Sequence, residues 1–202
     1  MGNQIYVRGL ITISTHCNEN CTFCSLRAEN RTHERFRMNA GEIANIVHQA
    51  MHFGCNSVVI ETGCDPDLSC GHLCEIIDRI RIFQRLGIAL ACGPRSLSEF
   101  KYFRQYGADR YYLRFETANQ SIFEKAIPGE KWDDRVQSLA AARAHDMQIS
   151  SGFLIGWPDS TMTHLAQDIL YATQWKLDEI WCDPFISQKD TPLAGINFRC
   201  SN

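Results

Sequence analysis

The segment Ile5–Ser14 (IYVRGLITIS) and the segment Thr15–Cys24 (THCNENCTFC) that follows it decide how the chain is interpreted. The first is a largely apolar run of the kind that forms a buried strand. The second contains Cys17, Cys21 and Cys24 in the pattern C-x3-C-x2-C, with an aromatic residue directly before the last cysteine. One short loop after the first predicted strand therefore supplies three thiolates.

Three thiolates at this spacing predict a 4Fe–4S cluster with an incomplete set of protein ligands. A cubane cluster normally has four cysteine ligands, so three leave one iron open. An open coordination position distinguishes a catalytic metal site from a closed structural one. We predict that the open iron chelates the amino and carboxylate groups of S-adenosylmethionine. One electron from the cluster then breaks the sulfur–carbon bond and gives methionine and a 5′-deoxyadenosyl radical, while the protein supplies positioning and electrostatics.

Three other interpretations of these cysteines stay open at the level of sequence. A zinc site needs a fourth ligand at short spacing, and His16 has poor geometry for that role because it is adjacent to Cys17. A disulfide pair suits a secreted chain. A chance grouping is the third alternative, because ten cysteines are spread over the chain.

Composition limits the classes of protein to be considered. The 202 residues are enough for one sizeable core, so we expect a single domain over residues 1–202. A net charge of -3 gives no reason to expect a nucleic-acid or membrane surface. The N-terminal residues contain no cationic segment followed by a long apolar one, so we expect a cytoplasmic protein with reduced thiols.

Strand-like and helix-like segments alternate along the chain. The predicted strands are Ile5–Ser14, Ser57–Glu61, Ile88–Ala91, Arg110–Arg114, Gln148–Leu154 and Glu179–Cys182, and the predicted helices are Glu42–His52, Gly71–Leu86, a segment after Ser96 that ends before Gly107, Gln120–Ala126, Trp132–His145 and Thr161–Trp175. This alternation predicts an α/β fold, a parallel sheet covered by outer helices. A complete eight-stranded barrel takes about 250 residues, so six units predict a partial (βα)6 TIM-type barrel.

A doubly wound sheet is the alternative architecture. No glycine-rich phosphate loop follows the first strand, which argues against a nucleotide-binding version of that fold. In either architecture, ligands bind at the carboxyl ends of the strands. The three cysteines lie at that edge, directly after the first strand.

Two further segments at the same edge contain candidate binding residues. Thr62 and Gly63 follow the second strand, where a small residue and a glycine let the backbone approach a ligand closely; the alternative is an ordinary turn. Arg114 and Glu116 end the fourth strand on one face. Buried charges need partners, which a zwitterionic, ribose-bearing ligand would provide; the alternative is a mutual salt bridge.

Other residues are weaker candidates. Arg135 opens a helix beside two aspartates, and an isolated helical arginine is usually solvated or locally paired. A second metal site would draw on Cys64, Cys70 and Cys74 with His72 between them, but the spacings match no common metal motif. Buried cysteines that simply pack in the core are the alternative.

Several segments make the chain resemble the radical S-adenosylmethionine superfamily, and within it the HydE family of radical maturases that help build the active site of iron-only hydrogenase. Besides the three cysteines, the segments are Cys24–Arg27, Arg35–Met38, Gly107–Tyr111, Arg114–Asn119, Pro184–Ile186 and Asp190–Ala194. Biotin synthase and the methylornithine synthase PylB are more distant relatives in this comparison. The resemblance implies the radical S-adenosylmethionine core fold.

The resemblance also implies roles for individual residues. Cys17, Cys21 and Cys24 would bind the cluster, Phe23 and Ile186 would lie against the adenine, Thr62 and Gly63 would contact the methionine amino group, Glu116 would hold the ribose hydroxyls, and Arg135 would hold the methionine carboxylate. The implied substrate is a small molecule, a cysteine-bound iron complex. The implied partners are an electron donor such as a flavodoxin or ferredoxin and other hydrogenase maturases.

The chain departs from the family pattern in two respects. Cys64 stands where the family commonly has an acid after the glycine of the second-strand motif. The chain is also shorter than family members, which continue beyond the sixth strand. A methylornithine- or biotin-type radical enzyme, and a truncated cluster-binding protein without turnover, are therefore the competing hypotheses.

Overall fold

Parallel strands and helices alternate throughout the computed structural model, which describes residues 5–83 and 86–196. The strands are β1 (Arg8–Ser14), β2 (Ser57–Thr62), β3 (Gly87–Ala91), β4 (Arg110–Tyr112), β5 (Gln148–Ile155) and β6 (Glu179–Pro184). The helices are α1 (Ala40–His52), α2 (Cys70–Arg81), α3 (Leu97–Tyr106), α4 (Gln120–Ala126), α5 (Trp132–Ala144) and α6 (Met162–Gln174).

The strands pair in the order in which they occur in the chain. The sheet runs β1-β2-β3-β4-β5-β6, and every neighbouring pair is parallel. A doubly wound sheet reverses its strand order at a switch point, whereas a barrel adds each strand to the same edge. The sequential order confirms the predicted α/β fold with a parallel sheet and outer helices, and it fits an open, partial barrel.

The two faces of the sheet have different partners. Along β1 and β2, Ile11, Ile13, Val58 and Ile60 are buried in the core between the sheet and the helices. The alternate residues face the concave side, as the period of two requires; Leu10 on this side is 59% exposed. The concave side is therefore free to line a ligand cavity, and the carboxyl ends of the strands lie at its rim.

A polar network crosses the concave side at the amino ends of the strands. Arg8 on β1 donates to Glu179 on β6 at 2.8 Å, and Tyr112 on β4 donates to the same carboxylate at 2.6 Å. Arg110 also forms an ion pair with Glu179. Glu179 therefore links the first and last strands of the sheet, which have no backbone pairing with each other.

Two predicted boundaries differ from the structure by three residues or more. β1 begins at Arg8 rather than Ile5, because Ile5 and Tyr6 are 86% and 77% exposed and lie outside the sheet. Helix α2 ends at Arg81 rather than Leu86. The Arg81 side chain donates to the carbonyl of Leu86, which lies outside the helix and directly before β3, at 2.7 Å.

The fourth strand ends at Tyr112, two residues before the predicted Arg114. The reason lies in the Ser151 hydroxyl on β5, which donates to the Leu113 carbonyl at 2.6 Å and accepts from the Phe115 N–H at 3.2 Å. The Ser151 side chain thus takes the place of a backbone hydrogen-bond partner, and the segment after Tyr112 leaves the regular β4–β5 pairing. Glu116 then adopts a φ of 66°, a conformation uncommon for a residue other than glycine.

Candidate functional site

The loop after β1 that contains the three cysteines is held by one arginine. The Arg35 guanidinium donates to the carbonyls of Leu26 (2.8 Å), Arg27 (2.7 Å) and Asn30 (3.0 Å), and also to that of Thr15. Backbone carbonyls in a loop have no ladder partner, so a fixed fork of N–H donors suits them well. Arg35 therefore gives the cysteine loop a defined shape.

A buried carboxylate joins this loop to the loop after β2. Asp65 has no exposed side-chain surface and accepts two hydrogen bonds from Arg37, both at 2.8 Å, and one from Ser14 at 2.6 Å. Burial opposes the charged carboxylate, but the hydrogen bonds from Arg37 and Ser14 outweigh it and lower the pKa of Asp65. The ends of β1 and β2 are thereby fixed to each other.

Gly63 permits the closest approach between these two loops. A Cβ atom at this position would lie 2.4 Å from the His16 carbonyl oxygen and 2.8 Å from the Cys17 Cβ. The Asn18 N–H also donates to the Cys64 carbonyl at 3.0 Å. Only glycine fits here, and its backbone therefore lies directly beside the first cysteine.

A cavity of about 600 Å³ opens on the concave side at the carboxyl ends of the strands. Nine of the ten predicted site residues line it: Cys17, Cys21, Phe23, Cys24, Thr62, Gly63, Arg114, Glu116 and Arg135. Ile186 is not among the lining residues and is 67% exposed, so its contact with an adenine stays a prediction. The structure thus brings residues at or just after the ends of β1, β2 and β4, together with one residue of α5, to one cavity.

The thiols in the cavity differ in their surroundings. Hydrogen bonding with the Cys64 thiol lowers the pKa of Cys17 to about 6, whereas burial raises the pKa of Cys21 and of Cys24. No three His, Cys, Asp or Glu side chains in residues 5–83 and 86–196 converge on a single metal position. A cubane cluster needs wider spacing than one zinc ion, because its cysteines bind different irons.

Two buried charges face each other on the far side of the cavity. Glu116 and Arg135 have only 9% and 8% of their side chains exposed, and Glu116 Oε1 lies 3.6 Å from Arg135 Nη1. Glu116 Oε2 is buried without a hydrogen-bond partner. Burial raises the pKa of Glu116, and the charge of Arg135 opposes that shift. An orphaned buried carboxylate oxygen of this kind needs a donor.

Arg114 and Glu116 do not form the mutual salt bridge that sequence left open. Arg114 instead forms an ion pair with Asp183 on β6, and its guanidinium lies 5.8 Å from the centre of the Trp181 ring. Its side chain is 30% exposed. Arg114 therefore lies at the cavity wall with a partner of its own, and Glu116 is left facing Arg135.

The residues present fit the cofactors that the sequence predicted. The donor set is three thiols from one loop, and Gly63 forms a cradle that a Cβ atom would fill. The unpartnered Glu116 oxygen is an acceptor suited to sugar hydroxyls. Phe23 stacks edge-on against Trp157, with ring centres 5.0 Å apart, and so presents an ordered aromatic surface at the cavity.

The candidate second metal site finds no support among the described residues. The Sγ atoms of Cys70 and Cys74 are 4.0 Å apart on α2. His72 does not join them, because its Nδ1 lies 3.2 Å from the Ser69 hydroxyl and 3.1 Å from the Asp67 carbonyl at the start of the helix. Cys74 is buried in the hydrophobic core, and Cys70 is partly buried and packs against that core.

Sequence reasoning gave no role to four residues that shape this site. Arg35 and Arg37 were noted only as part of a resembling segment, while Asp65 and Glu130 were not singled out. Their partners are loop carbonyls and side chains 5 to 51 residues away. The only usable signal was the presence of two arginines in the short segment after the cysteine loop.

The chain belongs to the radical S-adenosylmethionine superfamily. The family model for that superfamily matches residues 11–172, a range that begins within β1, includes the cysteine loop and ends within α6. Members of this superfamily are generally enzymes that use a 4Fe–4S cluster and S-adenosylmethionine.

Curated relatives include proteins of different function. The chain is 31% identical over 197 residues to the [FeFe] hydrogenase maturase subunit HydE of Thermotoga maritima, covering 96% of this chain and 56% of that protein. It is 23% identical to 3-methylornithine synthase of Methanosarcina barkeri (96% and 55% covered) and 25% identical to biotin synthase 2 of Corynebacterium diphtheriae (90% and 56% covered). The chain thus spans about half the length of these relatives.

Solved structures show the same fold. The crystal structure of methylornithine synthase (PylB) superposes with a TM-score of 0.92 at 22% identity, covering 98% of this chain and 59% of that one. The HydG maturase from Carboxydothermus hydrogenoformans superposes with a TM-score of 0.83 at 19% identity, covering 95% and 47%. The six-unit sheet therefore corresponds to the fold of longer radical S-adenosylmethionine proteins.

Proposed function

We propose that this chain binds a 4Fe–4S cluster through Cys17, Cys21 and Cys24, and cleaves S-adenosylmethionine reductively in the adjoining cavity. One observation supports this most directly. The cavity places the three thiols, the glycine cradle at Gly63 and the orphaned Glu116 oxygen around a single space. When bound, the reduced cluster supplies the electron that splits the cofactor into methionine and a 5′-deoxyadenosyl radical.

The remaining residues bind and orient the cofactor in this proposal. Glu116 accepts hydrogen bonds from the ribose hydroxyls with its free oxygen. Thr62 and Gly63 offer backbone groups to the methionine amino group, and Arg135 binds the methionine carboxylate. Phe23 and Ile186 lie against the adenine, and Arg114 forms part of the cavity wall. Charged groups held in a water-poor cavity orient a ligand at little reorganisation cost.

We further propose a HydE-like role in the maturation of iron-only hydrogenase. The 31% identity to HydE over 96% of this chain supports it. The substrate is then a small cysteine-bound iron complex, the reductant a flavodoxin or ferredoxin, and the partners other maturases. The competing assignment is a methylornithine- or biotin-synthase-like enzyme, which the 23% identity to 3-methylornithine synthase and the 25% identity to biotin synthase 2 support.

The experiment is product analysis under anaerobic conditions. Reconstituted protein receives dithionite and S-adenosylmethionine, and 5′-deoxyadenosine and methionine are quantified together. We expect both products in equal amounts from the wild type and neither from Cys21→Ala. Cys55→Ala is the matched control, because Cys55 is not among the residues that line the cavity. Failure of the wild type to form 5′-deoxyadenosine would contradict the proposal.

A parallel comparison separates the two proposed roles. 5′-Deoxyadenosine formation is followed in reactions with and without the cysteine-bound iron complex. A HydE-like protein forms 5′-deoxyadenosine faster when the complex is present, whereas the competing assignment predicts no response to it. An unchanged rate would favour a methylornithine- or biotin-synthase-like enzyme.

A further inference from the structure

Arg135 meets two buried carboxylates rather than one. Its Nε and Nη2 donate to Glu130 Oε1 at 2.7 Å and to Oε2 at 2.5 Å, a bidentate pair. On its other side, Nη1 donates to the Arg114 carbonyl at 2.9 Å and lies 3.6 Å from Glu116 Oε1. The Glu130 side chain is only 7% exposed, so this ion pair is withdrawn from water.

An aromatic ring and the turn that contains Glu130 also fix the orientation of the Arg135 guanidinium. The Phe123 ring lies 5.4 Å from its central carbon. Glu130 is held by a Pro–Gly turn: the Glu130 N–H donates to the Ile127 carbonyl at 3.3 Å, and Gly129 takes the left-handed φ of 94° that such a turn requires. Bidentate pairs of this kind add geometric precision as well as energy.

The ion pair with Glu130 leaves some of the N–H groups of Arg135 available to a ligand. A guanidinium has five N–H groups, and three are engaged by Glu130 and the Arg114 carbonyl. The two that remain are one on each terminal nitrogen. Two such N–H groups are the pair that binds a carboxylate with parallel hydrogen bonds, and Arg135 lines the cavity.

We infer that Glu130 is a positioning residue, which aims the free N–H groups of Arg135 at the carboxylate of the cofactor's methionine part. This inference rests on the proposed function, because it assumes that S-adenosylmethionine occupies the cavity.

The test compares two ligands on cluster-loaded protein by anaerobic titration calorimetry. S-adenosylmethionine has the carboxylate, whereas 5′-methylthioadenosine has the adenine and ribose but no amino-acid part. Glu130→Ala should weaken S-adenosylmethionine binding by about tenfold or more, since one partner of a buried charge pair is lost. It should leave the affinity for 5′-methylthioadenosine unchanged. A general structural defect would weaken both ligands.

Two more variants keep the test decisive if Glu130→Ala does not fold. Glu130→Gln has almost the same volume and retains one acceptor, so we expect a smaller loss that is again confined to S-adenosylmethionine. Asp133→Asn is the charge-matched control. Asp133 lies in the first turn of α5, the helix that contains Arg135, but it is exposed and has no ion pair with Arg135 among the described contacts. It should bind both ligands as the wild type does.

The possible results test the role of Glu130 and the proposed function separately. Selective loss for the carboxylate-bearing ligand supports Glu130 as a positioning residue. Equal loss for both ligands, or none for either, overturns this inference but leaves the proposed function intact. A wild-type protein that loads the cluster but does not bind S-adenosylmethionine overturns the proposed function, and the role of Glu130 with it.

Discussion

Single residues determine the shape of the cysteine loop, and Arg35 donates hydrogen bonds to four carbonyls in and beside it. Its guanidinium replaces the ladder partners that carbonyls of the loop lack. We expect Arg35→Ala to lower the free energy of unfolding by about 1–3 kcal/mol, because part-buried acceptors lose their donor. The variant should also bind less iron on reconstitution. Urea denaturation and iron analysis provide the two measurements.

Arg31→Ala is the matched control for this prediction. Arg31 lies in the same segment and is exposed, and exposed substitutions usually change stability by less than about 0.5 kcal/mol. We expect it to bind iron as the wild type does. If Arg35→Ala and Arg31→Ala behaved alike, Arg35 would have no special role in forming the cluster site.

At the scale of elements, the ends of β1 and β2 have to pack closely for the site to form. Gly63→Ala would place a Cβ atom 2.4 Å from the His16 carbonyl oxygen. That contact is with backbone, so the loop has to move, and we expect a loss of about 1–3 kcal/mol in the free energy of unfolding. Displacement of the adjacent Cys17 should also reduce cluster content, measured as iron and sulfide.

Gly71→Ala tests whether the effect belongs to this contact. A Cβ atom at Gly71 meets only the Ser69 hydroxyl, at 3.7 Å, on the first turn of α2. The change should be neutral or stabilise the protein by up to about 1 kcal/mol, because alanine restricts the unfolded chain. Full cluster content in Gly63→Ala would show that the two loops need not touch.

Elements were predictable from sequence where periodicity governs them and less so where a side chain replaces backbone pairing. The six strands and their parallel direction follow from alternating βα units. The end of β4 does not, because it depends on the Ser151 hydroxyl bonding to the segment around Leu113. The cysteines were identifiable from their spacing, and Gly63 was a candidate because it follows the second strand. Glu130 was not, because Asp133 and Asp134 lie closer to Arg135 in sequence.

At the scale of the whole molecule, Glu179 joins the first and last strands. Burial disfavours its charge, but hydrogen bonds from Arg8 and Tyr112 outweigh burial and lower the pKa of Glu179 from 4.5 to about 2. A carboxyl group with a depressed folded-state pKa stabilises the protein above its unfolded pKa. That contribution is lost as the pH falls from about 4.5 toward 2.

We therefore expect Glu179→Gln to be less stable than wild type by about 1–2 kcal/mol at pH 7, after allowance for solvent screening. The difference should shrink steadily below pH 4.5. Glu75→Gln is the control, because the Glu75–Arg79 pair on α2 is about half exposed, and such pairs contribute little. A Glu179→Gln deficit that stayed constant down to pH 3 would contradict the linkage.

At the same scale, the chain is an open parallel sheet that fits a partial barrel, and the cavity proposed for the cluster and its cofactor lies on the concave side. The described part contains no helix that is both long and apolar enough to cross a membrane. This chain spans about half the length of the curated relatives it matches. Cofactor binding is consequently the claim that these residues support most directly, and substrate choice is the one that depends on the relatives.

The most direct test of cofactor binding is electron paramagnetic resonance of the reconstituted, dithionite-reduced protein with and without S-adenosylmethionine. We predict the signal of a reduced 4Fe–4S cluster that changes shape when S-adenosylmethionine is added, because the open iron gains ligands. Glu116→Gln should bind the same amount of cluster but require more cofactor for the change. A cluster signal that S-adenosylmethionine leaves unaltered at saturating concentration, or a cluster that forms without Cys17, Cys21 and Cys24, would contradict the account.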